Sequence, residues 1–322
     1  MNVEPTVTLS TRSRAAAGPR VAVLVPCYNE ALTIAAVVRG FKDSLPFSTV
    51  YVYDNNSRDG TADVAAAAGA MVRAETRQGK GHVVRRMFAD LDADVYIIVD
   101  GDNTYDAASA PALVEQLMSG PFDLVNGARI DSARAAYRPG HRFGNWMLTA
   151  LVTRIFGTAS RDMLSGYKAM SRRFVKSFPA LSTGFEIETE LLVHALELGI
   201  PTAEIETPYR ERPEGSQSKL RTVHDGVRIL RLIMRLVKEE RPFAFFSSLA
   251  FILMLISIGF ALPVISDYLR TGLVPRLPTA VLSTGLMLSA IIAFFSGLIL
   301  DTVTRGRREM KRLHYLANAG VR

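Results

Sequence analysis

One cysteine, Cys27, stands in a chain of 322 residues. That scarcity excludes an intrachain disulfide and any cysteine zinc cluster, and it suits a reducing compartment. Its setting, "VLVPCYNE", reads as a strand end, where a thiol packs rather than attacks. Histidine offers no metal site either, because His82, His141 and His194 fall at no ligand spacing. No G-x-G-x-x-G follows the first apolar run and no G-x-x-x-x-G-K-[ST] occurs, so a nicotinamide site or a P-loop is unsupported. Internal repeats and long low-complexity tracts are absent, and the alanine-rich "ADVAAAAGA" reads as a helix running into a turn. Residues 1–19 lack the apolar core of a signal peptide and are expected to form a short disordered lead.

Charge is missing from two long stretches. Phe243–Ser266 and Leu277–Leu300 contain no charged side chain. As helices rising ~1.5 Å per residue, each reaches about 36 Å, enough for a hydrocarbon core of about 30 Å. Hydrophobic residues make up 48% of the chain and mean hydropathy is +0.16, as expected if residues 243–300 are two transmembrane helices with a short connector. The flanks "VKEERPF" and "TRGRREMKRLHY" are basic, whereas the connector "DYLRTGLVPR" has two arginines. The positive-inside rule therefore puts both termini and the preceding domain in the cytoplasm, with residues 301–322 as a basic cytoplasmic tail. Upstream, residues 218–242 interleave Leu, Ile, Val and Met with Arg228, Arg231 and Arg235, the pattern of an amphipathic helix lying on anionic headgroups. The whole chain carries 38 Lys+Arg against 31 Asp+Glu, a net +7. An anionic partner fits: nucleotide, lipid headgroup or nucleic acid.

Between residues 20 and about 130 apolar strands alternate with helices: "RVAVLVP", "NEALTIAAVVRGF", "TVYVYD", "GKGHVVRRMFADL", "ADVYIIVD", "FDLVNGA". Continuous apolar runs joined by helices predict an α/β domain with a mostly parallel sheet covered on both faces. Ligands in such sheets bind at the carboxyl ends of the strands. Pro26 to Glu30, Asp54 to Thr61 and Asp100 to Asp106 all fall there. Lys80, between two glycines at a helix start, could meet phosphate oxygens together with the backbone N–H groups beside it.

In order along the chain, "VLVPCYNE", "DNNSRDGT", "GKG", "DGD" and "DMLSGYK" resemble the family-two glycosyltransferases of the GT-A fold. With tandem C-terminal spans the resemblance narrows to dolichol-phosphate mannose synthase and the bacterial polyprenyl-phosphate glycosyltransferases. It covers about residues 20 to 300 and implies a Rossmann-like catalytic domain over residues 20–217. It implies that Pro26, Tyr28, Glu30 and Asp54 hold the nucleoside, and that Asp100 and Asp102, the D-x-D, bind Mg²⁺ or Mn²⁺ bridging the donor diphosphate. Hard carboxylate oxygens completed by phosphate suit such a cation. Arg129 and Arg142 take the positions that dock an acceptor phosphate. Asp162 lies near the reacting carbon, as base or as orienter of the acceptor. "RPEGSQSKL" is similar to the family's R-x-x-G-x-S-K loop, so Arg212 and Lys219 would close over the diphosphate with Lys80 and Asp100 beside it, although one extra residue precedes the Ser-Lys pair. Thr104 stands where some relatives carry a glutamine ligand. Glu186, Glu188 and Glu190 open a predicted helix, where acidic side chains suit the helix dipole.

The implied function is inverting transfer of a hexose or N-acetylhexosamine from a UDP- or GDP-sugar to polyprenyl phosphate. Nucleotide sugar, polyprenyl phosphate, membrane lipids and a second copy of the chain are the implied partners, and nucleic acid is not. A processive polysaccharide synthase is the rival enzyme, disfavoured because Trp146, the only tryptophan, lies in no Q-x-x-R-W setting. A membrane-anchored scaffold keeping the fold without catalysis is the rival outside enzymes.

Overall fold

A computed structural model describes residues 18–131, 150, 152–153, 162–184, 186–213 and 238–318. Arg142, Lys219 and most of the expected amphipathic helix lie outside the described residues. The domain opens with β1 (Val21–Cys27), α1 (Ile34–Ser44), β2 (Ser48–Asp54), α2 (Thr61–Ala67), β3 (Met71–Ala74), α3 (Lys80–Asp90) and β4 (Val95–Ile98). It continues with α4 (Ala110–Ser119), β5 (Leu124–Asp131), β6 (Lys168–Ser171), α5 (Arg172–Ser177), α6 (Ile187–Leu198) and β7 (Thr202–Tyr209). The seven strands form one sheet in the order β3-β2-β1-β4-β6-β5-β7. Only β6 runs against its neighbours β4 and β5, so the sheet is mostly parallel as expected.

Alternation within the central strands feeds two cores. Leu24 of β1 faces α3, α5 and α6, where it packs with Val84, Met87, Phe174 and Leu191. Val23 and Val25 face α1 and α4, with Val38, Phe41, Leu113 and Leu117. Burial on both faces is why β1 and β4 read as unbroken apolar runs. From β1 the chain winds outward through β2 and β3, then returns to place β4 on the other side of β1. That reversal opens a crevice at the carboxyl ends of β1 and β4.

Two further helices follow: α7 (Pro242–Thr271) and α8 (Leu277–Ala317). Both are long and apolar enough to cross a membrane, and only 11% and 17% of their most apolar windows are buried, unlike core helices of a soluble domain. They meet through small side chains at seven-residue spacing: Ala250, Ser257 and Val264 on one, Ser283, Ala290, Gly297 and Thr304 on the other. Ser257 donates a hydrogen bond to the Ser283 carbonyl at 2.7 Å. Close approach of this kind is how helices associate in lipid, where apolar burial adds little.

The residues expected as a basic tail are largely helical. Residues 301–317 continue α8 without a break and pack against α5 and α6. Lys311 pairs with buried Glu197 at 2.6 Å, Arg307 and Arg308 grip Glu240, and the Tyr315 hydroxyl donates to Asp123 at 2.5 Å. Composition alone showed the cations but not the buried carboxylates that draw them onto the domain.

Candidate active site

Three loops meet at the crevice, and each turns on an asparagine in the left-handed region: Asn29 (φ 53°) after β1, Asn56 (φ 65°) after β2 and Asn103 (φ 59°) after β4. Asparagine tolerates that conformation better than most side chains. The first two loops are stitched together. Asn29 N–H donates to Ser57 Oγ at 2.8 Å, Glu30 N–H to Thr61 Oγ1 at 2.9 Å, and Arg58 N–H to Asn29 Oδ1 at 2.8 Å. Thr33 Oγ1 ties this assembly to the Gly101 carbonyl at 2.7 Å. Pro26, Tyr28, Glu30 and Asp54 are thereby brought to one edge. Asp54 Oδ2 accepts from Ser57 N–H at 3.1 Å, whereas its buried Oδ1 accepts no hydrogen bond among the described residues. An open buried acceptor is costly unless a ligand fills it.

The glycines beside Lys80 permit close backbone approach. A Cβ on Gly79 or Gly81 would collide with the carbonyl oxygens of Thr183 or Ser182, so both are needed for close backbone approach. Their N–H groups are already used: Gly79 donates to Asn55 Oδ1 at 2.7 Å and Gly81 to the Thr183 carbonyl at 3.1 Å. The Lys80 ammonium, on a side chain 7% exposed, faces two carboxylates, Asp100 and Glu188. Burial opposes its charge, but the two carboxylates outweigh burial and push its pKa up. Asp100 shows the reciprocal effect: burial works against the carboxylate, Lys80 overcomes it, and the pKa falls.

Asp102 has the opposite balance. Burial and the neighbouring Asp100 charge raise its pKa, against the pull of Arg212 and Thr104. Arg212 reaches Asp102 Oδ2 at 2.7 Å, while Thr104 Oγ1 and N–H donate to Oδ1 at 2.6 and 3.2 Å. The Thr104 position, which lacks the glutamine of some relatives, thus fixes the second D-x-D carboxylate. Arg212 arrives because the end of β7 folds over the loop, with Arg210 N–H donating to the Thr104 carbonyl at 2.8 Å.

Opposite lies Arg129 near the end of β5. Its Nε and one terminal nitrogen donate to Asp162 Oδ2 and Oδ1 at 2.6 and 2.8 Å. Burial alone would raise the Asp162 pKa, but the Arg129 hydrogen bonds and charge bring it down. Of the expected residues, Pro26, Tyr28, Glu30 and Asp54 lie at the ends of β1 and β2, Lys80 meets Asp100, Arg212 meets Asp102, and Arg129 meets Asp162.

Sequence reasoning missed Glu188. It was expected to serve the dipole of α6, yet its side chain, 12% exposed, turns inward to Lys80. Glu190 does fit a local role, accepting from the Leu181 and Ser182 N–H groups. Nothing in "GFEIETELL" distinguishes the two, because only tertiary packing shows which one meets α3. Lys168 was also missed, although it closes the "DMLSGYK" segment; it is fully buried and bonded to Asn126.

Comparison with known proteins agrees with this geometry. Residues 22–178 match the family model for glycosyl transferase family 2. Over 303 residues the chain is 34% identical to glycosyltransferase AglJ of Haloferax volcanii, covering 92% of this chain and 98% of that one. The chain belongs to glycosyl transferase family 2. This family 2 glycosyltransferase is also 28% identical, over 68% of its length and 95% of the relative's, to a dolichyl-phosphate hexose transferase of H. volcanii. Among solved structures, glucosyl-3-phosphoglycerate synthase of Mycobacterium tuberculosis with Mn²⁺, UDP and phosphoglyceric acid superposes with a TM-score of 0.56 at 24% identity, covering 69% of this chain and 78% of that one. Its complex with Mg²⁺ and UDP gives 0.55 at 25% identity, covering 69% and 79%. These likenesses establish the GT-A fold of the catalytic domain.

Proposed function

We propose that this glycosyltransferase moves a hexose or N-acetylhexosamine, with inversion, from a nucleotide-diphosphate sugar to polyprenyl phosphate at the cytoplasmic face of a membrane. The observation that carries the reading is the Arg129–Asp162 pair, near enough to the D-x-D for the Arg129 charge to act on Asp100, in a chain that ends in two helices able to span a bilayer. The relative that acts on dolichyl phosphate and the basic flanks of both helices support the acceptor and the orientation. Self-association through the exposed faces of α7 and α8 belongs to the same reading.

Asp100 and Asp102 fit a divalent cation. Burial and the adjacent Asp100 charge raise the cost of charge on Asp102, and the described residues hold no cluster of three or more acidic, His or Cys ligands. A cation held by one or two carboxylates and completed by donor phosphate oxygens matches that set. Mg²⁺ or Mn²⁺ there would supply Lewis-acid stabilisation of the departing diphosphate. Asp54 offers its open Oδ1, with Tyr28, Glu30 and Pro26 beside it, to base and ribose. Lys80 and Arg212 present positive charge along the diphosphate path, with Lys219 expected to join them. Arg129, and Arg142 in the segment outside the described residues, draw in the acceptor phosphate.

The acceptor oxygen is already anionic. It forms the new bond to the anomeric carbon from the face opposite the leaving diphosphate, and no proton has to be removed. Asp162 fits that chemistry as the group that orients Arg129, since a carboxylate held by two guanidinium hydrogen bonds is a poor base. Membranes containing the full chain, incubated with labelled UDP- and GDP-sugars and a short polyprenyl phosphate, should yield an organic-extractable product with one of the donors. Label appearing only in polymer or in a water-soluble acceptor would overturn the reading.

A further inference from the structure

The loop 162–166 carries Asp162 at one end and meets the donor site at the other. Gly166 lies against the Asp100 carboxylate so closely that a Cβ would collide with it. Its N–H donates to the Tyr105 hydroxyl at 2.7 Å. What holds the loop is a set of buried polar groups behind it. Lys168, fully buried, donates to the Ser165 carbonyl at 2.6 Å and to Asn126 Oδ1 at 2.8 Å. Asn126 Nδ2 then donates to the Asp162 carbonyl at 2.9 Å and to Glu204 Oε1 at 3.0 Å. Glu204 Oε1 also accepts from the Asp162 N–H at 3.3 Å. One ammonium therefore tethers both ends of the loop, Ser165 directly and Asp162 through Asn126.

This arrangement is expensive for the fold. Burial pulls the Lys168 pKa down to about 8, even though Glu188 and Asp162 favour its charge while Lys80 and Arg129 oppose it. A neutral side chain of similar volume removes the cost of the buried charge but leaves the Ser165 carbonyl and Asn126 Oδ1 without their donor. A cation buried at this cost and bonded, directly or through Asn126, to both ends of the loop points to geometry as its use.

We propose that Lys168 is a positioning residue: through Asn126 and the Ser165 carbonyl it sets the Asp162–Arg129 pair at a fixed separation from the Asp100 edge of the donor site. Acceptor and donor then meet without a search through loop conformations. The proposal rests on the reading above that Arg129 docks the acceptor, and its test separates the two.

The full chain in detergent is assayed with polyprenyl phosphate and the nucleotide sugar that the wild type uses. Lys168→Met should remain folded and bind the donor's nucleoside diphosphate within about threefold, while kcat falls roughly 10–100-fold, the scale of a misplaced reacting group. Because both changes act through Arg129, Lys168→Met combined with Asp162→Asn should be no slower than Asp162→Asn alone by more than about twofold. A wild-type rate for Lys168→Met, or a double variant that loses the full product of the two single losses, overturns the proposal. If Lys168→Met does not fold, Asn126→Ala cuts the link while leaving the Lys168–Ser165 bond; it should show the same fall in kcat, and full activity overturns the proposal. A wild type that glycosylates some other acceptor, with Lys168→Met still slow and still binding nucleotide, sinks the polyprenyl-phosphate reading alone.

Discussion

Arg129 and Asp162 form a two-point ion pair, with Nε 2.6 Å from Oδ2 and a terminal nitrogen 2.8 Å from Oδ1. The Arg129 N–H adds a third contact to the same carboxylate at 3.3 Å. A guanidinium held this way keeps its remaining N–H groups aimed in one direction. Asp162→Asn preserves the shape but removes the charge that holds Arg129. In single-turnover transfer, kcat is expected to drop by roughly a hundredfold, the scale of positioned polar groups. The nucleotide Kd by calorimetry should stay nearly unchanged, because Asp162 stands apart from the nucleoside loops. Lost donor binding with normal chemistry would instead assign Asp162 to the diphosphate.

Asp102→Ala should abolish transfer while the fold persists. Its carboxylate contacts are to Thr104 and Arg212, both at the crevice rather than in either core. Circular dichroism and melting temperature should match the wild type. Excess EDTA should silence the wild-type enzyme and added Mn²⁺ or Mg²⁺ should restore it. Undiminished activity in EDTA would remove the cation from the mechanism.

Lys80 compensates two carboxylates at once. Removing one partner of a buried ion pair costs about 3–5 kcal/mol, because the other charge is left without a counter-ion. Lys80→Met is therefore expected to lower unfolding stability by about that amount, read by denaturant titration. Glu188→Gln added to Lys80→Met should recover part of the loss. A double variant less stable than the single one would show that Glu188 is held by contacts other than Lys80.

Burial of His194 predicts that the domain loses stability in acid. The His194 ring is buried against Phe174 and Phe178, and burial first, then the Lys311 charge, lower its pKa from 6.5 to about 3. Between those values the unfolded chain binds a proton that the folded one refuses, so stability falls as pH drops below 6.5. The slope approaches about 1.4 kcal/mol per pH unit. Melting temperature should thus decline from pH 7 to pH 5, and His194→Leu should flatten that decline. Equal slopes for both proteins would place the acid-sensitive group elsewhere.

Lys311→Ala should loosen the helix that runs from the apolar region onto the catalytic domain. It leaves buried Glu197 with Arg308 Nε at 3.7 Å as its nearest cation. Limited proteolysis within residues 301–317 should speed up, while the D-x-D edge keeps its nucleotide affinity. Unchanged cleavage would mean that Tyr315 and Asp123 hold this segment unaided.

Much of this protein is legible in its residues because the signals are local. Unbroken apolar strands announce a covered parallel sheet, two uncharged runs announce helices long enough to span a bilayer, and "DGD" at a strand end announces neighbouring carboxylates. The sequence by itself therefore determined the fold class, and it named Asp100, Asp102, Arg129 and Asp162 as candidates at the carboxyl edge of the sheet. Tertiary structure decided how they are paired, since a charge selects its partner by distance in space. Arg129 and Asp162 are 33 residues apart, and Lys80 meets Glu188 across 108. It also decided that the two glycines around Lys80 serve backbone approach, and that the basic end of the last helix folds back onto Glu197 and Asp123. Those outcomes depend on which buried carboxylate lies opposite which cation. Spacing along a chain carries no such information when the partners come from different elements of the sheet.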